Sequence, residues 1–202
     1  MTEGVRELVF ATNNKHKLEE VRAVIGDRIR ILSLNDIGCN DDIPETADTL
    51  EGNARIKAKW VKDKYGYDCF ADDTGLMVDE LNGEPGVFSA RYAGEHCSPD
   101  DNIDLLLSKL KGRKNRRASF ETVIVLLEGD KEHIFRGRVE GAISEERSGK
   151  GGFGYDPVFL ADETGMSFAD MTAEAKNDIS HRGRAVRKLL GYLSSGENIK
   201  GD

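Results

Sequence analysis

The stretch that most restricts the fold is RRASFETVIVLLEGDKEHIFRGRVEGAIS, residues 116–144. It reads as two long strands joined at Gly129-Asp130, a two-residue hairpin signal. The segments before it read differently. ELVFATNN is an apolar run ending at Thr12-Asn13, followed by KHKLEEVRAVIG, where Leu18, Val21 and Ile25 fall on one helix face and Gly26 can stop it. IRILSL is a second strand, and NDIGCNDDIPETAD a polar loop. DTLEGNARIKAKWVKDKYG is a long helix with Asp48 or Thr49 as N-cap and Gly66 as terminator. YDCFADD is a third strand. A long antiparallel hairpin joined to strand–helix units requires a mixed sheet. The expectation is one α/β domain over residues 1–202: a mixed β-sheet flanked by helices, for which two lobes are natural.

The rest of the chain fits that frame. LNGEPGVFSARYAGEHCSPDD is a long loop, DNIDLLLSKLKG a helix, and GKGGFGYDPVFLA a glycine-rich loop entering a short strand. SHRGRAVRKLLGYLSS is a closing helix capped by Ser180, and GENIKGD a frayed tail. The net charge of −8 argues against a non-specific binder of nucleic acid or membrane surfaces, and leaves room for a small anion in a local basic pocket. No run of 18 apolar residues is present and the first ten residues do not read as a signal peptide. Cys39, Cys69 and Cys97 are far apart, without disulfide or zinc spacing, which points to a reducing cytoplasm. The four histidines are scattered, so a histidine-based metal site is not expected.

Six segments could carry chemistry. CFADDTGLMVDE, residues 69–80, sets Asp72 and Asp73 side by side at a strand end, with Thr74-Gly75 reading as a turn back into Leu76-Met77-Val78. Two like charges there need a cation or hydrogen-bond donors. Thr12, Asn13, Asn14, Lys15, His16 and Lys17 lie at a strand-to-helix junction, where helix N–H groups and lysines suit phosphate, although the P-loop spacing is absent. Glu45, in an acidic loop, gains interest if the fold brings it to Asp72 and Asp73, since three carboxylates with water make an oxygen shell for Mg²⁺. Lys57 lies at the edge of the stripe Leu50, Ala54, Ala58, Val61 and Tyr65. The run GKGGFGYDP contains GxGxxG but opens no helix, so it is not a dinucleotide fingerprint. Its Phe153 could stack on a flat ring and Asp156 accept hydrogen bonds. In KNDISHRGRAV, Arg182 falls on the core side of its helix, where a charge wants an anionic or carbonyl partner.

Together, FATNNKHKLEEV, IPETADTLEGNARIKAKW, FADDTGLMVDELNGEPGVFSARYAG, GGFGYDPVF and KNDISHRGRA resemble the inosine/xanthosine triphosphate pyrophosphatases, in order from about residue 7 to residue 193. That resemblance implies a long twisted mixed sheet, an active-site cleft between two lobes, and a Mg²⁺-dependent homodimer. Its substrates would be deaminated purine nucleoside triphosphates, hydrolysed to monophosphate and pyrophosphate. It implies phosphate binding by Thr12 to Lys17, metal binding by Glu45, Asp72 and Asp73, and Asp73 as proton acceptor. Pyrophosphate would leave neutralised by Mg²⁺, Lys17 and Lys57. Nucleotide contacts are implied for Thr74, Phe153, Gly154, Tyr155, Asp156, Lys176, His181 and Arg182. Two departures stand out: Gly52 where the family often has Glu, and Ala47 where it often has Gly. Rival readings are a septum-inhibitor-type nucleotide pyrophosphatase acting on other modified nucleotides, and a nucleotide sensor without turnover.

Overall fold

The structure is a computed structural model and describes residues 5–197. The N-terminal residues 1–4 and residues 198–202, most of the expected tail, lie outside the described part. Strands β1 (Glu7–Phe10), β2 (Arg30–Leu32) and β3 (Cys69–Val78) alternate with helices α1 (Lys15–Ile25) and α2 (Leu50–Tyr65). Then come β4 (Pro85–Gly86), α3 (Pro99–Lys109), the hairpin β5 (Arg117–Glu128) and β6 (Lys131–Ile143), β7 (Phe159–Ala161), α4 (Ala173–Ile179) and α5 (His181–Glu197). The strand order is β2-β1-β3-β5-β6-β7, with β4 paired to β3. β1 runs parallel to both β2 and β3, while β3–β4 and β6–β7 are antiparallel, so the sheet is mixed as the hairpin required.

The caps follow from residue type. Thr49 caps α2 by accepting from Gly52 N, and Gly66 ends it in the left-handed conformation. Ser98 and Asp101 form a reciprocal capping box on α3. Asn14 caps α1, its side chain accepting from Lys17 N.

The chain divides into two compact units: residues 1–73, 122–137 and 182–202 in the first, residues 74–121 and 138–181 in the second. The first has two cores. One joins Phe10 and Phe70, stacked at 4.6 Å, to Val21 and Ile25 of α1 and Ala185, Val186 and Leu189 of α5. The other joins Val9, Cys69, Ala71 and Val125 to Ala54, Ala58 and Val61 of α2. The second unit is built on Leu76, Ile103, Leu106, Phe120, Phe159 and Phe168.

Two expectations need correction. Thr74-Gly75 is not a turn: β3 runs unbroken from Cys69 to Val78, and Gly75 is not among the glycines of positive φ. Asp, Thr and Gly are turn-prone in isolation, but a strand buried along both faces overrides that local preference. Residues 81–101 are not wholly loop, since they hold β4 and the start of α3. The segment before Ser180 forms α4, a helix of 7 residues too short for a clear periodic signal.

Candidate active site

Strand alternation decides the fate of the two aspartates. Successive side chains of a strand point to opposite faces. Phe70 belongs to the core of α1 and α5, and Asp72, two residues on, meets cations from those same helices. Cys69 and Ala71 belong to the core of α2, and Asp73 meets side chains of that helix.

On the first face Asp72 is 2% exposed. Its Oδ1 accepts from Lys17 Nζ at 3.0 Å and its Oδ2 from Arg182 Nε at 3.0 Å. Arg182, itself buried, also donates to Glu20 Oε2 at 2.5 Å. Burial alone would raise the Asp72 pKa, but Lys17, Arg182 and Lys57 outweigh it and hold the carboxyl well below the usual range. Thr12 and Asn14 shape the turn that brings Lys17 in: Thr12 Oγ1 accepts from Asn14 N at 3.1 Å and Asn14 Oδ1 from Lys17 N at 3.2 Å. Asn13, Lys15 and His16 are exposed beside them.

On the second face Asp73 is also buried. Its Oδ2 accepts from Asn53 Nδ2 at 3.2 Å, and its Oδ1 lies 3.9 Å from Lys57 Nζ. Lys57 in turn donates to Glu45 Oε1 at 3.1 Å. Burial raises the Asp73 pKa above 3.8 against the pull of Lys57, and the Glu45 charge adds to the rise. Glu45 and Asp73 are thus gathered around one ammonium, while Asp72 faces away. Among the described residues no three Asp, Glu, His or Cys side chains form a group that could hold a metal by themselves.

The second unit carries a different set. Lys176 Nζ lies 4.7 Å from the centre of the Phe153 ring and donates to Asp156 Oδ2 at 2.6 Å. The same oxygen accepts from Phe153 N at 2.9 Å. Gly152, at φ 69°, allows this, because a Cβ there would stand 2.1 Å from Asp156 Oδ2. Gly154 follows, also at positive φ. Tyr155 is buried, its hydroxyl donating to Ser89 O at 2.7 Å. His181 stacks on Phe120 at 4.6 Å, and Thr74 is half-buried on β3. A flat aromatic beside a held ammonium suits a flat, electron-rich ring.

Sequence reasoning missed Asn53, Glu20 and Ser89. Asn53 had a usable signal: it sits one turn before Lys57 on the same face of α2. Glu20 had none, since its partner Arg182 is 162 residues away.

Buried carboxylates are matched here by buried cations, an arrangement that costs desolvation and is strongly destabilised if one partner is lost. The chain belongs to the Ham1 family, whose pattern matches residues 8–192. It is 56% identical over 190 residues to a dITP/XTP pyrophosphatase of Flavobacterium johnsoniae, covering 94% of this chain and 98% of that one. A dITP/XTP pyrophosphatase of Porphyromonas gingivalis is 51% identical, with 94% and 98% covered. The structure of the Staphylococcus aureus Ham1 protein superposes with a TM-score of 0.86 at 37% identity, covering 95% of this chain and all of that one.

Proposed function

We propose that this chain hydrolyses deaminated purine nucleoside triphosphates, dITP, ITP and XTP, to the monophosphate and pyrophosphate. It is a hydrolase of phosphorus anhydrides, as its curated relatives' names state of them. The observation that carries the site assignment is the placing of Glu45 and Asp73 around Lys57, with Lys17 and Arg182 held on Asp72.

Mg²⁺ is held in enzymes by one or two carboxylates together with water and substrate phosphate oxygens. Glu45 and Asp73 fit that donor set. Both of Asp72's oxygens already accept from cations, so Asp72 is read as the anchor of Lys17 and Arg182 rather than a third ligand. When bound, the metal supplies charge neutralisation of the polyphosphate. Asp73 orients a water on the α-phosphorus and takes its proton. The bond from the α-phosphorus to the bridging oxygen breaks. Lys17 and Lys57 stabilise the departing pyrophosphate, and Thr12 to Lys17 bind its phosphates.

Phe153 stacks on the base, with Lys176, Asp156, His181, Thr74, Gly154 and Tyr155 shaping its surroundings. A 6-keto purine offers an acceptor where adenine offers a donor, so buried donors facing that position penalise ATP. The enzyme works in the cytoplasm as a homodimer. Its three unpaired cysteines suit a reducing compartment, and no helix among the described residues is long and apolar enough to cross a membrane. The test is pyrophosphate release with and without Mg²⁺ across ITP, dITP, XTP, GTP and ATP. The expected result is Mg²⁺-dependent release with the first three ahead in kcat/KM. Equal rates with GTP, or binding without turnover, would overturn the reading.

A further inference from the structure

The loop that carries Glu45 is tied back to α2 by a buried side chain. Asn53 is fully buried. Its Oδ1 accepts from Ala47 N at 2.9 Å, two residues beyond Glu45, and its Nδ2 donates to Asp73 Oδ2 at 3.2 Å. One turn further along the helix, Lys57 holds Glu45 at 3.1 Å and faces Asp73 at 3.9 Å. The contacts close a circuit: Ala47 to Asn53, Asn53 to Asp73, Asp73 to Lys57, Lys57 to Glu45, and two residues of backbone home again.

Gly52 fits the same circuit. Glycine is a poor helix former, yet it occupies the first turn of α2. A Cβ at Gly52 would stand 2.6 Å from Ala47 Cβ and 2.9 Å from Thr49 Oγ1. The missing side chain is therefore what lets Ala47 lie close enough for its N–H to reach Asn53.

We propose that Asn53 is a positioning residue, fixing Glu45 and Asp73 relative to each other through the backbone of Ala47, and that Gly52 and Ala47 are a sterically matched pair which makes that tie possible. This rests on the reading of Glu45 and Asp73 given above. The tie itself can be measured apart from activity.

The experiment compares the wild type with Gly52→Ala, the double variant Ala47→Gly/Gly52→Ala, and Asn53→Asp. Three quantities are read: hydrogen exchange at the residue 47 amide, kcat for dITP, and the affinity for an uncleavable dITP analogue without metal. Gly52→Ala should speed exchange at residue 47 and lower kcat by about 10- to 100-fold, the range for outer residues that orient ligands. Analogue affinity without metal should hold. The double variant, relieved of the Ala47 contact but not of that with Thr49 Oγ1, should recover exchange and kcat in part. Asn53→Asp keeps an acceptor for Ala47 N but loses the donor to Asp73, so protection should persist while kcat falls. Unchanged exchange and kcat in Gly52→Ala, or no recovery in the double variant, would overturn the proposal. A wild type inactive on dITP would instead overturn the function, with the exchange data still deciding the tie.

Discussion

Adjacent on β3, Asp72 and Asp73 have opposite electrostatic fates because the strand sends them to opposite faces. Asp72 has a lowered pKa, so its contribution to stability is complete above the ordinary value of 3.8 and is lost as the pH falls toward its folded value. Asp72→Asn leaves Lys17 and Arg182 without their buried counter-charge, a loss of about 3–5 kcal/mol at neutral pH. Denaturant unfolding at pH 7 and pH 3 should show the gap to wild type narrowing at the lower pH. A constant gap would contradict the pairing. Asp73 has a raised pKa, so ionising it costs stability as the pH rises through and above 3.8. Asp73→Asn should therefore remove nearly all turnover while leaving the midpoint of thermal unfolding equal or higher at pH 7. Activity near wild type, or a clear loss of stability, would count against its role. The sequence named both aspartates, yet the pairing of Asp72 depends on partners 55 and 110 residues away, which local reasoning cannot supply.

At the scale of elements, the hairpin at Gly129-Asp130, the stop of α1 at Gly26 and the caps of α2 were legible because each rests on a short-range rule. The continuity of β3 through Thr74-Gly75 was not, because only burial on both faces decides it. The inward placing of Lys57 followed from its helix position, and Arg182 on the core side of α5 did likewise. Asn53 could have been read by the same rule. The glycine-rich loop shows how an element sets a contact. Gly152→Ala would drive a methyl into Asp156, displacing the carboxylate that holds Lys176 beside Phe153. If that set binds the base, KM for dITP should rise about tenfold or more, with a smaller change in kcat. An unchanged KM would remove the loop from base recognition.

For the whole molecule, the family and the class of reaction were readable from ordered motifs spanning most of the chain. Near full-length similarity to dITP/XTP pyrophosphatases agrees with that reading. Paired buried charges gather in the first unit, and an ammonium held beside an aromatic ring lies in the second. Homodimerisation makes its own prediction, a sedimentation mass of about two chains at micromolar concentration, and a monomer at all concentrations would contradict it. The most direct measurement follows the attacking oxygen. Hydrolysis of dITP in water labelled with heavy oxygen should place the label wholly in the monophosphate, as attack on the α-phosphorus by a water at Asp73 requires. Label in the pyrophosphate, or in released inorganic phosphate, would contradict the account.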